Sequence, residues 1–318
     1  MDKDDFKING NFKNKDILSI DQFSPKDVEI IFKTTNKIKK IVEEKGGIDL
    51  LNKKIMAALF YEPSSRTFGS FVASMQRLGG GIIPIHDMKN SSAGKGETIE
   101  DTAQVFESYS DVLVVRHPET GSVAKMADVV KIPVINAGNG IGEHPTQALF
   151  DLFTINEKLN KTSNIHLAFF GELAHYRPVN SLAKLVALYP KNKITFVSAK
   201  EVKVNSEVRE FLKNKSVDFK EIEDINEVIS DIDVLYVTRV KKEFMDPDLY
   251  KKIQGKYVVN KKLISKMKTK SIIMHPLPRI GEITTDVDSD SRAAYLKSQI
   301  KNGMYVRMAL LALVLGKA

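Results

Sequence analysis

Short apolar runs alternate with amphipathic helical patterns along the whole of this 318-residue chain, and this alternation constrains the fold more than any other feature. In the first half the runs are KIMAALFY, GIIPI, DVLVV and PVIN; in the second they are IHLAFF, KITFVS, VLYVTR and SIIMHP. Each is short and close to continuously hydrophobic, as strands covered by helices on both faces must be. Strands that alternate with helices predict an α/β fold with parallel sheets. After the first run, TFGSFVASMQRL carries Phe68, Phe71, Met75 and Leu78 at three-to-four spacing and stops at Gly79, Gly80 and Gly81, a helix with a strong end signal. Thr98 and Asp101 have capping-box spacing at the start of another helix. GMYVRMALLALVL reads as one long helix that follows all the strands.

The length predicts two domains rather than one. The polar stretch NEKLNKTSN separates the two sets of strands, and the helix holding HPTQALFDLF lies near the boundary. The expected architecture is therefore two doubly wound parallel-sheet α/β domains. The first comprises residues 1–146, completed by the C-terminal helix at about 300–318, and the second residues 147–299.

Composition excludes several classes of function. The chain has no Cys, which removes disulfides, thiol nucleophiles and Cys-ligated zinc and makes a cytoplasmic location the default expectation. MDKDDFKING has no apolar core and does not read as a signal peptide, and the longest apolar run, MALLALVLG, is too short to span a bilayer. The formal charge of +8 invites a nucleic-acid reading, but the lysines are interleaved with acids, as in KKIVEEK and KEVKVNSEVREFLKNK. Solvated helix faces account for most of the surplus, so neither a nucleic-acid nor a membrane partner is expected. No HExxH and no paired carboxylate and His at ligand spacing point to a metal, and no cofactor is expected.

The chemistry concentrates just after the strands. In FYEPSSRTFGSF (residues 60–71), Ser64, Ser65, Arg66 and Thr67 stand between an apolar run and a helix. A helix N-terminus offers N–H groups and roughly half a positive charge, so it suits an anion, and hydroxyls and a guanidinium add charge-assisted hydrogen bonds. Simple capping by Ser64 or Ser65 would need neither Arg66 nor a second hydroxyl. Arg116 follows DVLVV, Arg239 ends VLYVTR, His275 follows SIIM and His144 closes the loop after PVIN. Ligands of open parallel sheets bind beyond the carboxyl ends of strands. His144 precedes Pro145, a good first helical residue, and a helix N-terminus with nearby Arg is expected to keep its imidazole neutral. His86, His117, His166 and His175 lack such context and read as structural or surface residues. GNGIGE (residues 138–143) resembles a dinucleotide fingerprint but has Glu143 where the third Gly belongs, and AGKGET lacks the spacing of a phosphate loop. Glu62 and Glu97 are expected to orient Arg or Lys.

Taken together, FYEPSSRT, SSAGKGET, VVRHPETG, VINAGNGIGEHPTQALFDLFTI, LYVTRVKKE, MHPLPR and the closing MALLALVL resemble the catalytic chains of aspartate carbamoyltransferases, nearly end to end. Ornithine carbamoyltransferases carry a Cys in the segment equivalent to HPLPR; Pro276 stands here, which favours aspartate as acceptor. The resemblance implies an enzyme whose active site lies in the cleft between its two domains. It implies carbamoyl transfer from carbamoyl phosphate to the α-amino group of L-aspartate, an early step of pyrimidine synthesis, by direct attack through a tetrahedral intermediate. By the same resemblance Ser64, Ser65, Arg66 and Thr67 hold phosphate; Arg116, His144, Gln147 and Thr67 hold the carbamoyl end; and Arg177 and Arg239 grip the aspartate carboxylates. Leu277, next to Pro278, meets both substrates through its backbone. Ser91 and Lys95 match a loop that reaches a neighbouring subunit's site, which implies a homotrimer. Regulatory chains or a dihydroorotase stand as candidate further partners.

Three positions depart from the family pattern. Lys241 stands beside the aspartate site where the family commonly has Gln. Phe244 replaces a charged residue after the KE pair, and Gly281 an acidic one after HPLPR. Weaker or different cooperativity is expected, and Lys241 leaves a different amine acceptor as the alternative function. An inactive structural homologue is a second alternative, against which the intact residues 64–67 and Lys95 argue.

Overall fold

The computed structural model describes residues 6–86 and 92–318, without the side chains of 92 and 93. The chain forms two compact units, Met1–Leu149 with Asn302–Ala318, and Phe150–Lys301.

In the first unit α1 (Pro25–Lys45) begins at a capping box between Ser24 and Asp27 and ends at Gly46, whose φ of 81° only glycine takes up at low cost. Four parallel strands follow in the order β2-β1-β3-β4: β1 (Ile55–Phe60), β2 (Gly81–His86), β3 (Val112–His117) and β4 (Val134–Asn139). Residues 56–60 of β1 and 112–115 of β3 are fully buried, which explains why they read as unbroken apolar runs. Helices α2 (Ser65–Arg77), α3 (Ile99–Glu107) and α4 (Ser122–Val129) connect the strands. Thr98 caps α3 by accepting the N–H of Asp101 at 3.0 Å. From β1 the chain steps outward through α2 to β2 and then returns to β3 on the other side of β1, so the order reverses between β1 and β3.

Helix α5 (Pro145–Leu159) contains the division between the units. The second unit has five parallel strands in the order β7-β6-β5-β8-β9: β5 (His166–Phe170), β6 (Lys193–Val197), β7 (Asp218–Ile222), β8 (Val234–Val237) and β9 (Ile272–Met274). Its other helices are α6 (Arg177–Val186), α7 (Ser206–Asn214), α8 (Pro247–Ile253) and α9 (Lys261–Ile264). Alternate residues serve opposite faces. Ala168, Phe170, Leu235 and Val237 pack with Tyr257 and Tyr295, whereas Phe169 stacks on Phe196 and meets Tyr236 edge-on. Here the order reverses between β5 and β8.

All eight apolar runs are strands. The ninth, β7, was not legible: DFKEI is a polar edge strand, and charged side chains are what keep such an edge from pairing with another chain. The last helix, α10 (Ser298–Val314), returns its residues from Asn302 onward to the first unit. There Met304 accepts the Ser74 hydroxyl through its carbonyl at 3.0 Å, and Arg307 donates to the Ser70 hydroxyl at 2.5 Å. Among the described residues no helix is long and apolar enough to cross a membrane.

Candidate active site

In open parallel sheets the crevice where strand order reverses is the ready-made ligand site. The first unit places its cations there. Ser65, Arg66 and Thr67 form the first turn of α2, directly beyond β1, and the N–H groups of a first turn have no carbonyl within the helix to bond. Ser64 is the N-cap residue, yet its side chain makes no capping hydrogen bond, so a plain cap does not explain the serines. Ser65 and Arg66 are exposed, Ser64 is half-buried and Thr67 is buried. Helix α2 is anchored behind this turn by Phe71, Met75 and Leu78, all fully buried, and by α10.

Arg116 pairs with Phe60 across β1 and β3, which brings its side chain beside the 60–67 segment. Its guanidinium meets the Glu62 carboxylate at 2.5 Å and donates to the Ala137 carbonyl of β4 at 3.2 Å. Glu62 thus orients an arginine, as expected. Glu97 instead accepts the Thr102 hydroxyl at 2.7 Å and supports the start of α3.

His144 immediately precedes α5 at the end of the loop from β4; it, Thr146 and Gln147 are buried. The His144 Nδ1 atom lies 3.4 Å from the Thr146 hydroxyl. The glycines of GNGIGE serve backbone packing rather than a dinucleotide. Gly140 has a φ of 51°, and a Cβ there would lie 2.5 Å from the Thr120 hydroxyl and 2.8 Å from the Pro118 carbonyl. Glu143, the residue that spoils the fingerprint, accepts the Ile20 N–H at 2.7 Å and the Ser19 hydroxyl at 3.1 Å, fastening the N-terminal segment to this loop. Lys95 is exposed on a 3-10 turn (Ser92–Lys95) after β2. Ser91 lies outside the described residues.

The second unit repeats the plan. Arg177 opens α6 just beyond β5, and Arg239 follows β8, the strand beside it. Gly171 makes this possible: its φ is 132°, and a Cβ would lie 2.3 Å from the Thr238 carbonyl, so only glycine lets the two turns approach. Arg239 forms a two-point ion pair with Glu243 and donates its N–H to the Tyr176 hydroxyl at 3.2 Å. His175, read from the sequence as a structural or surface residue, has a structural role here: its N–H and Nδ1 meet the Glu172 carboxylate at 2.8 and 3.1 Å. Burial raises the Glu172 pKa, with His175 opposing, and burial lowers that of Lys241 to about 8, with Glu172 opposing.

Leu277 and Pro278 lie on the turn after β9, next to β8. Leu277 adopts a φ of 56° and donates its N–H to His275 Nδ1 at 2.7 Å. On its other side His275 Nε2 lies 2.6 Å from the Glu282 carboxylate, which fixes the proton on Nε2 and leaves Nδ1 as acceptor. His275 is therefore a support for the Leu277 backbone rather than a group facing a ligand. Its own N–H donates to Gln299, whose amide donates to Asp151 at 2.7 Å, and Asp151 accepts the Tyr236 hydroxyl at 2.8 Å. This buried chain runs from α10 to α5 and β8. Sequence reasoning missed it because its members are far apart in the chain and no spacing links them.

Fold and site together define a protein of two α/β units, each presenting arginines at the switch point of its own sheet, a class suited to small anionic substrates. Residues 15–157 match the aspartate/ornithine carbamoyltransferase carbamoyl-P binding domain and residues 163–314 the Asp/Orn binding domain. The chain belongs to this family. It is 46% identical over 307 residues to the chloroplastic aspartate carbamoyltransferase of Arabidopsis thaliana, covering 96% of this chain and 78% of that one. Against the aspartate carbamoyltransferase catalytic subunit of Methanobrevibacter smithii it is 44% identical, covering 94% of both. It spans only 14% of the multifunctional protein pyr1-3 of Dictyostelium discoideum, at 45% identity over 98% of this chain. The aspartate transcarbamoylase of Trypanosoma cruzi, solved with N-(phosphonacetyl)-L-aspartic acid, superposes with a TM-score of 0.90 at 38% identity, covering 96% of this chain and 97% of that one.

Proposed function

We propose that this chain transfers the carbamoyl group of carbamoyl phosphate to the α-amino group of L-aspartate, giving N-carbamoyl-L-aspartate and phosphate, in the cytoplasm and as part of pyrimidine synthesis. The observation that carries the reading is the first turn of α2. Two serines, one arginine and one threonine surround an anion-binding helix end, with Arg116 delivered beside them by the β1–β3 register. In support, the Trypanosoma cruzi relative has been solved with carbamoyl phosphate and aspartate together, at 37% identity and a TM-score of 0.90.

The chemistry follows from charge and proximity. Ser64, Ser65, Arg66 and Thr67 hold the phosphate; Thr67, Arg116, His144 and Gln147 surround the carbamoyl group. Arg177 and Arg239 take the two carboxylates of the acceptor, with Lys241 beside them, and the backbone of Leu277, next to Pro278, meets both substrates. Holding two mutually repelling anions side by side replaces a bimolecular encounter, worth effective molarities of about 10⁵–10⁸ M. The amine attacks the carbonyl carbon, a C–N bond forms, negative charge develops on the carbonyl oxygen, and the C–O bond to phosphate breaks. Donors aimed at that oxygen contribute about 10²–10³-fold each. The departing phosphate takes the amine proton, so no protein base is required. Lys95 and Ser91 are assigned to a neighbouring subunit's site, in a homotrimer; the exposure of Lys95 supports this.

Arg66→Ala should lower turnover by about 10²–10³-fold while leaving the circular dichroism spectrum and the melting temperature of the protein intact. Near-normal turnover in this variant would remove Arg66 from the phosphate site.

A further inference from the structure

The arginines assigned to the acceptor stand on two separate segments of the second unit, so their spacing has to be fixed by something other than the chain between them. Lys241 bridges the segments. Its ammonium donates to the His175 carbonyl at 2.6 Å and lies 4.3 Å from the centre of the Tyr176 ring and 5.2 Å from that of Phe244. Phe244 in turn stacks on the His175 ring at 5.3 Å and 11°. The Tyr176 hydroxyl accepts the N–H of Arg239, so the ring that holds the lysine also holds the arginine's backbone. The lysine therefore ties the 172–177 turn, which ends at Arg177, to the 239–244 turn, which begins at Arg239.

We propose that Lys241 is a positioning residue, a half-buried cationic tie that sets the spacing of Arg177 and Arg239 and thereby the affinity for a dicarboxylate acceptor. The inference rests on the carbamoyltransferase reading. The tie is strong only while the lysine is charged, because an ammonium forms a charge-assisted hydrogen bond and is drawn to the faces of both rings. Glu172 and Glu243 face it with negative charge, Arg177 and Arg239 with positive charge, and Glu282 adds its field at Tyr176 and Arg239. Burial brings the Lys241 pKa down to about 8 despite Glu172. The ammonium is then present below about pH 8 and lost above it, so acceptor binding weakens as pH rises through that value.

Steady-state kinetics at saturating carbamoyl phosphate test the tie, with succinate as the binding probe. Succinate carries both carboxylates of aspartate but no amine that titrates above neutrality, so its inhibition constant reports on the protein's own groups. In the wild type this constant should rise several-fold between about pH 7 and about pH 9. Lys241→Met should raise the aspartate KM about tenfold or more, change kcat little and flatten the pH profile, the loss of one charge-assisted hydrogen bond being of that size. Lys241→Arg should restore affinity and move the inflection upward. Phe244→Leu should raise KM in the same sense and be non-additive with Lys241→Met, since both loosen one tie. An unchanged KM in Lys241→Met, or full additivity with Phe244→Leu, overturns the proposal. Wild-type protein that transfers nothing to aspartate overturns the carbamoyltransferase reading itself, and the proposal with it.

Discussion

Asp16 accepts the Val134 N–H at 2.8 Å at the start of β4, and burial raises its pKa from 3.8 to about 6 in spite of that bond. A folded-state pKa above the unfolded one means that the fold favours the protonated acid. The associated stability is fully present below about pH 4 and is lost as pH rises through about 6, amounting to ~3 kcal/mol for a shift of this size. Asp16→Asn keeps an oxygen for the Val134 N–H and removes the charge. The stability of the variant relative to wild type, measured by urea unfolding, should therefore increase by up to ~3 kcal/mol between about pH 4 and about pH 7. Parallel curves for the two proteins would refute it. At this scale the sequence was informative only where chemistry follows a strand directly. The placement of Ser64, Arg66, Arg116, His144 and Arg239 at or just beyond the carboxyl ends of strands was legible. Asp16, Glu172 and Tyr176 were not, because their roles depend on partners that folding alone brings close.

The elements were more legible than their supports. Strands β1, β3, β5 and β8 are buried on both faces, and that burial is written as unbroken hydrophobicity. β7 escaped because an edge strand does not need it. The buried chain Tyr236–Asp151–Gln299–His275 joins β8, α5, α10 and the turn after β9 by hydrogen bonds of 2.7 to 3.1 Å. Tyr236→Phe removes one donor from the buried Asp151 carboxylate and should cost about 1–3 kcal/mol in urea unfolding. A stability within experimental error of wild type would show that this chain does not brace the Leu277 turn.

For the whole molecule, the surplus of lysine that first suggested nucleic acid is spread over solvated faces, while Arg116 and Arg239 of the candidate site pair with Glu62 and Glu243. The sign of the net charge and the sign of the site agree, but only the site has geometry. Glu143 already excluded the Gly-rich loop as a dinucleotide motif in the sequence, and the structure adds what the loop does instead: Gly140 packs against the 118–120 backbone and Glu143 holds the N-terminal segment. The most direct test of the account is a steady-state assay of ureido-product formation from carbamoyl phosphate, with L-aspartate, L-ornithine, putrescine and L-glutamate compared as acceptors on protein whose mass is set by light scattering. The account predicts rapid turnover with L-aspartate alone, by a species of three chains or a multiple of three. Turnover with another acceptor in preference to aspartate, or none with any of them, would contradict it.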